Sequence, residues 1–298
     1  MTIATNLPDR PFTTQQATLL GVSEKRLAEL TRAREIRRVL RGVYVPTGIP
    51  DNVKTRATAA ALVISPFAVL CDRSAAWLHG VDTFAYQELE ILPPLETFVL
   101  RGLSRIRRDG VAGGRRDLAA RDIVDVHGVR TTTPLRTALD LGCKLRRRDA
   151  LAALDGFMRL HGLTHEVLRA ELPRYFRRRG VIQLRSLIPV ADPSSESPGE
   201  SWTRMAIIDA GLPIPELQFE IVVDGRIIYR LDLAYPRHKV CVEYDGREFH
   251  ESLARRAADE RRRDWLRRHG WHVIVITKAD FDSDSIQAWT SEIRLALF

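Results

Sequence analysis

Asp232 and Glu243 are the residues of this 298-residue chain whose types and spacing most directly suggest chemistry. Asp232 stands within RLDLAYP and Glu243 within VCVEYDG, each a carboxylate flanked by apolar, β-prone residues. The stretch PRHK between them reads as a turn, so two antiparallel strands would bring both acids to one edge. Two converging carboxylates repel each other unless a cation sits between them. Hard oxygen ligands with open positions suit Mg2+ or Mn2+. Such an ion activates water and stabilises charge on a phosphodiester in transit. Glu200, at the start of a helix, would add a third carboxylate. The plainer alternative leaves Asp232 and Glu243 as edge-strand or turn residues facing water.

The elements that must position these acids can be read from apolar periodicity. Pro198–Ala210 is expected to be a helix, with Trp202, Met205, Ala206 and Ile208 as its apolar stripe. Phe219–Val223 and Ile227–Tyr235 are expected strands joined at Asp224-Gly225, a hairpin signal. His238–Tyr244 is a third strand, Ser252–His269 a charged amphipathic helix, Trp271–Ile276 a fourth strand and Ser283–Leu297 a closing helix. The order is α-β-β-β-α-β-α. Within the second helix, ARRAADERRRDWLRRHG holds seven Arg and three acids, a composition that reads mainly as intrahelical ion pairs on a solvated face.

The stretches SPGESWTRMAIIDAGLPIPELQ, YRLDLAYP, KVCVEYDGREFH and DERRRDWLRRHGWHVIVIT together resemble the very-short-patch-repair-like endonucleases of the PD-(D/E)XK, restriction-endonuclease-like superfamily. The resemblance covers Pro198 to Thr277. It implies that Asp232 is the metal-binding strand Asp, that Glu243 takes the (D/E) position and that Glu200 is the acid of the leading helix. It matches His250 to the histidine after the third strand, and Asp259 and Arg262 to positions that orient the site or the phosphate. The sequence departs from the pattern at Asp245, where the superfamily has Lys. A carboxylate cannot replace an ammonium beside an attacking hydroxide. His250 would then be the general base, with Asp245 orienting it or adding a metal ligand. A structural hydrogen bond is the other reading of His250, and a weak or inactive nuclease is consistent with the exchange.

The first 190 residues differ in charge. The chain carries 46 basic and 38 acidic residues, a net charge of +8. Residues 1–190 hold 31 basic and 19 acidic residues, whereas those from Ala191 onward hold 15 and 19. A basic surplus points to an acidic partner, nucleic acid first. From Phe12 to Val45, Thr13 or Thr14 can cap a short helix and Ser23 a second one, Glu24–Arg34, across the turn GVS. IRRVLRGVYV then reads as a wing folded about Arg41-Gly42. Arg26, Arg37, Arg38 and Arg41 would face DNA, with the helix in the major groove and the wing on the backbone. A solvated basic face on a small packing module is the alternative. Val53 to Ile188 reads as mostly helical, with helices at Val53–Ser65, Asp72–His79, Pro134–Leu145, Ala150–Leu160, Thr164–Tyr175 and Val181–Leu187, and with a strand-rich insert whose strands are Leu89–Leu92, Thr97–Leu100, Ile123–Val126 and Val129–Thr131. The segments FTTQQATLLGVSEKRLAELTRAREIRRVLRGVYVP, VLCDRSAAWLHGVD and TTPLRTALDL resemble the N-terminal region of AbiEi-type antitoxins of type IV toxin–antitoxin systems. That implies a winged-helix DNA-binding head and an antitoxin-like helical body.

The expected fold is therefore a multidomain α+β or α/β chain. A winged helix-turn-helix spans residues 1–50, an antitoxin-like body 51–188, a linker 189–201 and a restriction-endonuclease-like αβββαβ core 198–298. The main functional expectation is a Mg2+- or Mn2+-dependent DNA endonuclease with a DNA-binding head, in defence or DNA repair. The alternative is an antitoxin-like DNA-binding transcriptional regulator with an inactive nuclease fold. A defence-system interaction module without chemistry is a third reading, and RNA stays open as substrate. DNA is the expected partner, with a toxin or defence protein as a further one. The three widely spaced cysteines, Cys71, Cys143 and Cys241, argue against a disulfide framework and for a reducing cytoplasm. No stretch has the length of a membrane span.

Overall fold

Helix caps and a tight turn organise the N-terminal elements of this computed structural model, which describes residues 7–84, 88, 93–100, 111–246 and 253–298. After strand β1 (Phe12–Thr13), Thr13 and Gln16 form a reciprocal capping box that starts α1 (Thr14–Leu19). The Ser23 hydroxyl accepts from the Arg26 N–H at 3.2 Å and starts α2 (Glu24–Arg32). Strands β2 (Ile36–Leu40) and β3 (Val43–Pro46) form an antiparallel hairpin about Arg41-Gly42, and the sheet order is β1-β3-β2. Phe12, Ala17, Val22, Leu27, Leu30, Ile36 and Tyr44 are the buried core of this part.

Next come α3 (Val53–Ala61), β4 (Val69–Leu70), α4 (Asp72–Leu78), β5 (Leu95–Val99), β6 (Val111–Arg115), β7 (Ile123–Val126), β8 (Val129–Thr132) and α5 (Pro134–Lys144). The five strands form one mixed sheet in the order β6-β5-β4-β8-β7. This sheet is larger than the expected insert. The two-residue β4 is too short for any period to show. In β6 the pair Gly113-Gly114 disfavours a strand on propensity, but a Cβ on Gly114 would lie 2.6 Å from the Phe98 ring, so the glycine admits that ring. The expected strand Leu89–Leu92 lies outside the described residues.

The chain divides into two compact units, one ending at Leu141 and the other starting at Gly142. The second unit contains α6 (Arg147–His161), α7 (His165–Ala170), α8 (Val181–Leu187) and α9 (Pro198–Asp209). Strands β9 (Glu216–Val223), β10 (Arg226–Tyr235) and β11 (Val240–Asp245) follow, then α10 (Leu253–Arg268), β12 (His272–Thr277) and α11 (Ser283–Leu297). The sheet order is β12-β11-β10-β9, with β11 and β12 parallel and the other pairs antiparallel. The α-β-β-β-α-β-α order is the one read from the sequence. Several element boundaries differ, two of them for a clear local reason. The expected helix Thr164–Tyr175 breaks after Ala170 into a 3-10 turn, Leu172–Tyr175, because Pro173 has no N–H to continue the ladder. His238 lies in a 3-10 turn rather than in β11, which starts after Lys239 at φ 51°.

Apolar residues cover both faces of this sheet. Leu233, Tyr235, Val240 and Val242 pack with Ile207 of α9 and with Trp289 and Ile293 of α11. Ile221, Leu231 and Cys241 pack with Leu266 of α10. The chain is thus a mixed α+β protein with several sheets. Among the described residues, no helix is long and apolar enough to cross a membrane.

Candidate functional site

Register brings the two singled-out carboxylates together. Leu233 pairs with Val242 across β10 and β11. One step further places Asp232 opposite Glu243, and cross-strand partners share a face. Leading helix α9 is held close by Gly199, where a Cβ would lie 1.9 Å from the Tyr244 ring. Its next residue, Glu200, is 7% exposed. The three acids Glu200, Asp232 and Glu243 therefore converge. Burial, then the charges of Glu200 and Glu243, push the Asp232 carboxyl up to about 7. Arg262 and the Tyr244 N–H act in the opposite direction on it.

The oxygens of this cluster already have protein partners. Glu243 is 2% exposed. Arg262 Nη2 lies 2.7 Å from its Oε1, an ion pair outside hydrogen-bond alignment, and Arg263 Nε donates to its Oε2 at 3.3 Å. Arg263 Nη2 also donates to Asp245 at 3.0 Å. Glu200 Oε1 accepts from the Ser197 hydroxyl at 2.8 Å, and Oε2 accepts from the Glu196 N–H at 2.9 Å and Gln218 Nε2 at 3.0 Å. Two guanidiniums thus already neutralise Glu243, the charge that a divalent ion would otherwise balance. Among the described residues, no group of three or more His, Cys, Asp or Glu is arranged to hold a metal. As arranged, these residues do not fit Mg2+ or Mn2+.

The other expected site residues fall as follows. Asp259 lies half-exposed on α10, one turn before Arg262 and Arg263. His250 lies outside the described residues. Arg263 is not distinguished by the sequence, in which the arginine tract reads mainly, though not wholly, as intrahelical ion pairs. Only part of the tract behaves so: Arg267 pairs with Glu260 and Asp264 on its own helix, whereas Arg262 and Arg263 reach across to β11. The signal that distinguishes them is their position one turn before the buried Leu266 on the sheet-facing side.

In the first unit the four arginines expected to face DNA differ in their surroundings. Arg41 is exposed at the hairpin tip. Arg26 pairs with Glu29 at 3.2 Å on α2. Arg37 donates to the Ile49 carbonyl at 3.2 Å, and Arg38 to the Tyr44 hydroxyl at 3.4 Å, with its guanidinium over the Tyr44 ring.

A buried ionic network in the same unit was also missed. Arg116 donates to both oxygens of Asp72 and to Asp140, each at 2.9 Å. Arg136 donates to Asp140 at 2.9 Å and Asp122 at 2.8 Å. Asp72 belongs to VLCDRSAAWLHGVD, and Arg136 and Asp140 to TTPLRTALDL. The network ties these two segments together, and His79 adds a bond from its ring Nε2 to the Thr132 carbonyl oxygen at 2.8 Å.

Residues 67–188 match the AbiEi antitoxin C-terminal domain family. Over 244 residues the chain is 33% identical to Rv2248 and MT2308, uncharacterized proteins of two Mycobacterium tuberculosis strains, and the match covers 82% of this chain and 86% of each relative. The chain belongs to the same family as these mycobacterial proteins. The AbiEi antitoxin-like region includes α4, all of the five-stranded sheet and helices α5 to α8. Asp72, Arg116, Asp122, Arg136 and Asp140 all fall inside it.

Proposed function

We propose that this protein is a DNA-binding regulator of the antitoxin class. The observation that carries the reading is the AbiEi antitoxin C-terminal domain match over residues 67–188, in a chain whose preceding residues form a capped two-helix turn and a basic hairpin. In this reading α2 enters the major groove, with Lys25, Arg26 and Arg32 toward the duplex, and Arg41 at the hairpin tip meets a phosphate. The AbiEi-like region would engage a toxin. The test is fluorescence anisotropy of the full chain on DNA from upstream of its own gene and on scrambled duplex. Tighter binding to the former, with a steep loss of affinity as salt rises, supports the reading. Equal affinity for both, or affinity indifferent to salt, rejects it.

The second reading is a metal-dependent endonuclease, and it is favoured by one observation, the convergence of Asp232 with Glu200 and Glu243. It needs Arg262 and Arg263 to leave Glu243. Incubation with supercoiled and mismatched DNA in Mg2+ or Mn2+ decides it. Nicking that disappears in both Asp232→Ala and Glu243→Ala supports the nuclease. A lack of nicking leaves the C-terminal fold as a scaffold whose acids are neutralised by its own arginines.

A further inference from the structure

We propose that the second unit carries two complementary surfaces through which copies of this chain associate head to tail. One is a basic loop around Phe176. The other is the acidic edge strand β9 with the aliphatic tip of its hairpin.

The loop is held out by both of its ends. It follows the 3-10 turn Leu172–Tyr175, whose Tyr175 is buried. It ends at Gly180, at φ 83°, where a Cβ would lie 2.0 Å from the Cys143 carbonyl oxygen. Only glycine permits that approach. Between these anchors Arg177 stands at φ 59°, a left-handed conformation that residues with a Cβ rarely take. The Arg178 N–H donates to the Tyr175 carbonyl at 2.9 Å, and the Val181 N–H to the Arg178 carbonyl at 3.1 Å. Phe176 is therefore presented on a fixed turn, 67% exposed, with the Arg177 guanidinium 5.2 Å from its ring. Ile182, on the first turn of α8, is exposed as well. From Arg169 to Arg185 the chain holds six arginines and one acid, Glu171. Aromatic residues and arginine are enriched at protein interfaces, and a turn already fixed loses little freedom on binding.

Strand β9 has the opposite character. It stands last in the sheet order, so its outer edge has no strand partner among the described residues. From Glu216 to Gly225, β9 and its turn hold three acids, Glu216, Glu220 and Asp224, and no basic residue. All three acids are exposed. On β10, Arg230 is already paired with Glu196 at 2.8 Å. At the hairpin tip Val222 and Ile227 are cross-strand partners, so they share a face, and they are 55% and 58% exposed.

Charge decides what covers this edge. Pairing of β9 with the β9 of another copy would set one acidic edge against another, the arrangement by which charged edge strands avoid each other. The loop carries the complementary charge around an apolar centre of its own. Each surface thus meets its complement, and not its like, on the next copy. Such heterologous contacts close into a ring or continue into a chain of copies.

Sedimentation velocity of the full chain at rising concentration, in low and in high salt, tests this. The weight-average mass should climb to at least twice that of the chain, and high salt should weaken the association at least tenfold. Phe176→Asp and Ile227→Asp should each weaken it at least tenfold. Leu295→Asp, at an exposed aliphatic on α11 outside both surfaces, should leave it unchanged. Circular dichroism checks that each variant keeps its fold. Mixing the two variants is the decisive step. Phe176→Asp protein keeps the hairpin and Ile227→Asp protein keeps the loop, so an equimolar mixture should form a one-to-one complex although neither associates alone. A chain that stays monomeric at every concentration overturns the proposal and leaves the loop to a different acidic partner. A Phe176→Asp variant that still self-associates also overturns it, since that is the behaviour of β9 pairing with itself. So does a mixture that gives no complex.

Discussion

Arg263 bridges Glu243 and Asp245, two acids on alternate positions of one strand, at 3.3 and 3.0 Å. Both acids draw their counter-charge from the neighbouring helix α10 and not from their own strand. Removing it should be felt. Arg263→Ala leaves Glu243 buried with half its counter-charge and should cost about 2–3 kcal/mol, less than for a fully buried pair because Arg263 is partly exposed. Urea denaturation of the variant beside Arg267→Ala, whose partners are in solvent, provides the measurement and its control.

Asp232 predicts an unusual dependence of stability on pH. Its carboxyl sits at about 7 in the folded protein against 3.8 when exposed. Between those values the folded state holds a proton that the unfolded state has lost. Its contribution is therefore fully present below about pH 4 and is lost as pH rises through 7. The size is about 4 kcal/mol at most. Asp232→Asn should flatten the fall in Tm between pH 5 and pH 8, and thermal melts across that range would detect it. A slope unchanged by the substitution refutes the assignment.

Asp155 and Arg204 are both 1% exposed and pair with one another, while Ser201 and the Asp192 N–H also donate to Asp155. Burial pushes the Asp155 carboxyl up, and Arg204 opposes this. Arg204→Met should cost about 3–5 kcal/mol by stranding a buried charge. Adding Asp155→Asn to it should recover part of that loss. A double variant less stable than Arg204→Met would argue against the pairing as the cause.

Gly199 is a steric requirement. Gly199→Ala drives a methyl into the Tyr244 ring and should cost about 1–3 kcal/mol. Tyr244→Ala in the same chain should relieve most of the clash, which chemical denaturation of the two variants would reveal.

For DNA binding, Arg41→Ala should weaken all duplexes about equally and reduce the salt slope by about 1. Anisotropy titrations at several salt concentrations provide the check. A change in sequence preference instead would place Arg41 on a base edge.

Much of the fold was legible wherever a short period or a turn signal acts locally. Asp224-Gly225 turns the β9–β10 hairpin with both residues at positive φ, and strands β10 and β11 alternate apolar side chains between two helix layers. The convergence of Asp232 and Glu243 was legible for the same reason, since it follows from register. The arginine partners were not. A run such as ERRRDWLRR gives every guanidinium the same local context, and only the rotation of α10 against the sheet decides that Arg262 and Arg263 face inward. The Asp72–Arg116–Asp140 network was hidden for a related reason: its members stand 44 and 24 residues apart, and each reads alone as an ordinary surface charge.

The Asp155–Arg204 pair has a consequence for inheritance. A chain ending after Val190 would keep the acid and lose the base, leaving a carboxylate in the interior with nothing opposite it. The antitoxin-like helices of the second unit and the sheet that follows cannot be exchanged as freely as beads on a string. A recombination that replaced the C-terminal stretch would strand Asp155 unless the newcomer brought an arginine to the same place or the acid itself changed, so the two stretches are constrained to descend together.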